Sequence, residues 1–339
     1  MNRTGATQAC PESVRNILDT DTSVVAGRSE EGNEQGIMIL PIQPTRWTRN
    51  RSPHARLFGS NELTRRTKCA VIVAHPGDDV FGAGCLISKL IDVSILHITD
   101  GVTVDDSCNP IPSEERREHS KALRRECLSA LELADVRSDQ ILDYFIPDRC
   151  AVHYLVGVTR RITSFLQSSG ADIVITHPYE GGHPDHDATA FATHASLRLM
   201  RENGLRPPVV FEMGLYPSKD LQTRLSGFLP GSEGEITTLR LDERSRKLKK
   251  NMFACLKAQS EHTDGTVDSE KFRRPPHYNF NLPPQSNKLH YEDFDWAITS
   301  DEWQALAARA LNQLFPERVS NHDVLPSNGR SILSVANAR

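Results

Sequence analysis

A chain of 339 residues, 38% hydrophobic with a mean hydropathy of −0.45, has room for one large or two ordinary domains and is expected to be soluble with polar appendages. Forty Lys and Arg against 44 Asp and Glu leave a formal charge of −4. That balance excludes a strong global field directed at nucleic acid or an anionic membrane. No apolar run approaches the roughly 18 residues that span a bilayer, and residues 1–21 lack the apolar stretch of a signal peptide.

Residues 1–36 are polar and are expected to be disordered. Residues 37–67 form a lead-in: a short apolar run at 37–42 that suits an edge strand, then a basic stretch over 46–66 without clear periodicity, read as a loop. The body runs from 68 to 317 and the tail, 318–339, is Ser/Asn-rich and expected to be mobile. Within the body, Cys69-Ala-Val-Ile-Val-Ala74 is a continuous apolar run rich in β-branched residues, the pattern of a strand buried on both faces. The pattern then predicts a helix over 81–91, a strand over 93–99, and a long helix over 113–133. Ser113 is that helix's expected N-cap, with Glu114 and Glu115 in its first turn. A strand over 140–146, a helix over 152–167, a strand over 171–176, a helix over 186–201 and a strand over 208–215 follow. Two further helices are read at 242–258 and 303–314, separated by an irregular aromatic stretch over 272–284 that suits a wall or lid. The basic run Arg244 to Lys250 reads as a solvated helix face.

Strand–helix alternation of this kind implies an α/β, Rossmann-like three-layer fold with a mainly parallel sheet. Right-handed crossovers then gather the strand-to-helix loops at one edge, where open α/β sheets place their ligands. Seven cysteines (Cys10, Cys69, Cys85, Cys108, Cys127, Cys150 and Cys255) are scattered with no C-x-x-C pair, so no zinc ribbon or thioredoxin-like site is suggested. A reducing, cytoplasmic setting is the default expectation.

Two of the loops end in His plus Asp: Ala74-His-Pro-Gly-Asp-Asp79 after the first buried run, and Gly181-Gly-His-Pro-Asp-His-Asp187 after a later one. Each alone is also good helix-capping chemistry. On one sheet edge together they supply the imidazole and carboxylate donors that zinc takes, with one coordination place left for water. His75 and Asp78 stand three apart, with Gly77 allowing a tight backbone path, and His186 is the natural third donor. The glycines at 77, 82 and 84 do not match G-x-G-x-x-G, and no G-x-S-x-G elbow is present.

With these residues the chain resembles the PIG-L/LmbE-like deacetylase family, whose signatures are A-H-P-[D/G]-D-[E/D] and H-P-D-H. The weaker features Thr99-Asp-Gly101, Arg124-Arg-Glu126, Phe272-Arg-Arg-Pro-Pro276 and Tyr291-Glu292 extend the resemblance over 68–314. It implies a single Zn2+, or another divalent metal, held by His75, Asp78 and His186. It also implies hydrolysis of an N-acyl group on an amino sugar or related small molecule by a metal-activated water. His183 would stabilise the oxyanion or protonate the leaving amine, and Asp185 would fix an imidazole tautomer. Many members carry aspartate, read as the general base, where this chain has Gly77. Asp79 is the favoured replacement and Asp187 the other candidate. Loss of efficient catalysis, leaving a metal-binding or regulatory module, is the alternative. Arg125, beside Arg124, and Tyr179 are candidate substrate contacts, weighed against a solvated helix face and simple loop packing.

Overall fold

The computed structural model describes residues 52–59, 66–104, 108, 113–215, 227–229, 234–258, 267–284, 289–294, 296 and 298–316. The expected disorder of 1–36, the strand at 37–42 and the tail at 318–339 lie outside these. Seven strands form one sheet in the order β3-β2-β1-β4-β5-β7-β6. They are β1 (Cys69–Val73), β2 (Val93–Thr103), β3 (Ile141–Asp148), β4 (Ile173–Thr176), β5 (Val209–Met213), β6 (Ile236–Arg240) and β7 (Ser269–Arg273). Strands β1 to β5 pair in parallel, and β7 runs antiparallel to both β5 and β6.

The apolar run at 69–73 forms the central strand because every one of its side chains is buried. Ala70 and Ile72 join one core layer, and Cys69, Val71 and Val73 join the other. The first layer is closed by α4 (Leu155–Ser169), α5 (Pro184–Glu202) and α7 (Ser300–Leu314), through residues such as Ile162, Phe191 and Trp303. The second is closed by α1 (Pro53–Phe58), α2 (Asp78–Ile87), α3 (Glu114–Glu132) and α6 (Glu243–Cys255), through Leu57, Val80, Cys127 and Met252. Ser113 caps α3, its side chain accepting from the Arg116 N–H at 3.1 Å. Among the described residues no helix is long and apolar enough to cross a membrane.

Three expectations change. The basic lead-in is not wholly loop: Ser52 caps the short helix α1, with Pro53 at its first turn. Strands β6 and β7 occupy segments to which the sequence pattern assigned no strand, because β6 is largely exposed and β7 buries charges in pairs. Within β7, Glu270 takes Lys249, and Arg273 bonds Glu212 at 2.7 Å. Cys108 and Cys150 form a disulfide, a pairing that the scattered cysteines gave no reason to expect.

The strand order turns back between β1 and β4, and that is the crevice where an open α/β sheet receives a ligand. His75 leaves the carboxyl end of β1, and the Gly-Gly-His-Pro-Asp-His loop leaves β4 beside it.

Candidate metal centre and its surroundings

Gly77, the N-cap of α2, has φ 108°, a backbone that side-chain-bearing residues rarely adopt. This sharp turn folds Asp78 back, so that its Oδ2 accepts the His75 main-chain N–H at 2.8 Å and lies 3.0 Å from His75 Nδ1. His186, in the first turn of α5, brings Nε2 to 3.5 Å from the same oxygen. One donor atom from each of His75, Asp78 and His186 thus lies within 4.8 Å of the others. Ligand atoms at 2.0–2.2 Å from a tetrahedral zinc stand about 3.4 Å apart, so the two spacings to Asp78 fit such an ion with little movement.

The outer face of His75 is held by carboxylates. Its Nε2 lies 2.8 Å from Asp148 Oδ1 and 3.2 Å from Asp185 Oδ2. Asp185 is fully buried and accepts two further N–H groups, from Arg149 at 2.5 Å and Ala151 at 3.0 Å. Burial raises Asp185 above its usual value, against the hydrogen bond from His75. Burial acts the same way on Asp148, but the hydrogen bond and charge of His75 outweigh it and hold that carboxyl well below the ordinary range.

His183 caps α5, its Nδ1 accepting the Asp185 main-chain N–H at 3.2 Å. A neutral His183 ring therefore carries its proton on Nε2, which lies 3.8 Å from Asp148 Oδ1. Burial, and then the neighbouring His75 and His186, push its pKa well below that of free imidazole and favour the neutral form. Trp296 meets the His183 ring edge-on at 4.8 Å. His177, just past β4, stacks on His186 at 4.0 Å and turns Nε2 to the Ala74 N–H at 2.8 Å. It supports a ring of the cluster.

Four candidates stand elsewhere. Asp79 is one helical residue on from Asp78, so its side chain points into the opposite core layer. There it is fully buried, with Oδ2 3.0 Å from His97 Nε2 and Oδ1 3.7 Å from Cys127 Sγ. His97 in turn reaches Asp143 at 2.8 Å, and Asp143 accepts from Arg124 at 2.8 Å. With its carboxylate committed to this chain, Asp79 does not face the cluster. Asp187 is fully buried and accepts the N–H groups of Glu180 and Gly181 at 3.1 and 3.0 Å, fastening the loop before α5. Tyr179 is buried; its hydroxyl donates to Leu282 O at 2.8 Å and accepts from Trp303 Nε1 at 2.5 Å, so it packs the body and presents no contact surface. Arg125 is exposed on α3, where its charge acts on Glu118.

The sequence reading missed Asp148, His177 and Trp296. The first two share a signal that was available: each stands at the carboxyl end of a parallel strand, on the edge already expected to carry ligands.

Residues 70–197 match the family model described as PIG-L, GlcNAc-PI de-N-acetylase. No curated protein matches the chain. Solved structures similar to it include a deacetylase of teicoplanin biosynthesis, with 16% identity and a TM-score of 0.46 over 61% of this chain and 97% of that one. An N,N'-diacetylchitobiose deacetylase from Pyrococcus horikoshii has 20% identity and a TM-score of 0.40, over 64% and 86% of the two chains. A 4-carboxy-2-hydroxymuconate hydratase from Pseudomonas putida has 16% identity and a TM-score of 0.40, over 64% and 100%.

Proposed function

From the match of residues 70–197 to the PIG-L family model we propose that the chain is a metal-dependent hydrolase removing an N-acyl group, acetyl in the simplest case, from an amino sugar or related amine. The observation that carries the reading is the convergence of His75, Asp78 and His186 at the turn-back point of the sheet. These three would hold the ion, zinc being the best match to two imidazoles and a carboxylate. A divalent cation there would polarise the acyl carbonyl and lower the pKa of a water.

The remaining work falls to side chains. Asp148 and Asp185 hold the His75 Nε2 proton and so leave Nδ1 free to act as a ligand. His183, neutral with its proton on Nε2, is a donor for the oxyanion that forms on the acyl carbon, and then for the amine nitrogen as the C–N bond breaks. Asp148, beside the Nε2 of His183, would take the proton given up by the attacking water and pass it to that nitrogen once His183 has protonated the amine, acting as a weak base because His75 holds its carboxyl low. The balance is hydrolytic: hydroxyl to the acyl carbon and hydrogen to nitrogen, giving a carboxylate and an amine. Asp148 thus fills the role left open by Gly77.

Amine release from N-acetylglucosaminyl compounds, measured alongside zinc stoichiometry, tests the reading. One zinc per chain is expected, with turnover abolished by chelation and by His186→Ala. Turnover indifferent to both treatments sinks it.

A further inference from the structure

Arg149 follows Asp148 directly and takes a left-handed backbone, φ 67°. Non-glycine residues adopt that region at a cost, and such strain persists where the surroundings enforce it, often at functional sites. The surroundings here do enforce it. The Arg149 N–H donates to Asp185 Oδ2 at 2.5 Å, the Ala151 N–H to Oδ1 at 3.0 Å, and Cys150 between them is disulfide-bonded to Cys108. The Arg149 side chain therefore starts from a fixed origin tied to the carboxylate that touches His75.

Its guanidinium lies over the Trp296 ring, 4.7 Å from the centroid, and that indole meets His183 edge-on at 4.8 Å. The side chain remains 42% exposed. Nε is 3.6 Å from Asp148 Oδ2, longer than a hydrogen bond, and that carboxylate already serves His75. Asp148 is the carboxylate paired with Arg149 among the described residues, and no hydrogen bond of the Arg149 guanidinium accompanies that pair. A planar cation, pre-ordered on an aromatic ring and two ring contacts from His75, stands beside a cluster that also holds Asp78, Asp148 and Asp185. The fork of a guanidinium suits a carboxylate or phosphate, and stacking reduces the freedom lost on binding.

We propose that Arg149, seated on Trp296, is the subsite for an anionic group, carboxylate or phosphate, carried on the amine portion of the substrate. This deepens the hydrolase reading and rests on it for the word substrate, though not for the binding itself.

The test is calorimetric titration of the zinc-loaded full chain with three product-like amines: glucosamine, glucosamine 6-phosphate and muramic acid. The readout is the affinity ratio of each anionic amine to the neutral one, and it needs no turnover. Wild type is expected to prefer at least one anion by about tenfold, a charge-assisted contact discounted for exposure. The preferred arm identifies the group as phosphate or carboxylate. Arg149→Gln keeps the main-chain N–H bond and should bring the ratio close to one. Arg149→Lys, which keeps charge but loses the fork, should fall between. A wild-type ratio near one, or a preference that survives Arg149→Gln, overturns the subsite. An anion preference that Arg149→Gln removes, in a chain that hydrolyses no N-acetyl amine, upholds the subsite while the hydrolase reading fails.

Discussion

Replacing Asp185 with asparagine isolates the support of the metal centre from its ligands. The carboxylate accepts three buried donors, with Arg149 N and His75 Nε2 on Oδ2 and Ala151 N on Oδ1. An amide has one oxygen. Its best placement puts that oxygen where Oδ2 stands and turns the amino group against the Ala151 N–H. One buried, opposed donor costs about 1–3 kcal/mol of stability. Losing an outer carboxylate on a ligating histidine typically costs 10–100-fold in metal affinity. Asp148 still holds His75 Nε2 at 2.8 Å, so the lower end is expected, about tenfold or roughly 1.4 kcal/mol. Competition for zinc against a chromophoric chelator measures it, with a thermal melt of the same sample to separate loss of fold from loss of affinity. Zinc binding within about twofold of wild type in a folded Asp185→Asn chain would refute the idea that this carboxylate sets the orientation of His75.

Three other outcomes follow from the geometry. Asp79→Asn removes one of the two carboxylates that hold the buried His97, Asp143 remaining on the other ring nitrogen, and should cost about 1–3 kcal/mol of stability, with zinc affinity per folded molecule unchanged; a wild-type melt would contradict the buried chain from Asp79 to Arg124. Cys150→Ser opens a bond with a sequence separation of 42, worth about 4 kcal/mol by chain entropy, and chemical reduction of wild type should lower the melting temperature comparably. Burial raises Glu180 to about 8 from an ordinary 4.5, so between those values the native state holds a proton that the unfolded chain has released. Stability gained below the lower value is then lost as pH rises through about 8. Denaturant unfolding across that window should show a falling trend that Glu180→Gln makes shallower, the buried Asp187, pushed up to about 7, supplying the rest, and an unchanged trend in the variant would locate it elsewhere.

The central fold was legible because β1 and β4 are unbroken apolar runs and because loops at the carboxyl ends of parallel strands form one edge. That logic brought positions 75, 78, 183, 185 and 186 within one neighbourhood. It could not orient them. Asp78 and Asp79 are adjacent in sequence, but helical geometry sends neighbours about 100° apart, so one faces the crevice and the other the core. Applying that angle to the sequence would have separated them. Strand β7 was hidden for a different reason: Glu270 and Arg273 look hydrophilic until Lys249 and Glu212 are seen to neutralise them. Asp148 closes a strand whose outer face is partly wet, so no apolar pattern announces it. Pairing of Cys108 with Cys150 is invisible to spacing, since seven cysteines allow many partners.

The two halves of the proposed donor set lie far apart along the chain, His75 and Asp78 following β1 and His186 following β4, and they meet only when β4 docks against β1. A chain that has formed β1, β2 and β3 but not yet β4 therefore lacks the His186 donor of the proposed site. On the proposed function, capture of a divalent cation would report the pairing of β4 with β1. A cation held there would accordingly lock β4 against β1, slowing escape from the native state far more than it hastens arrival there.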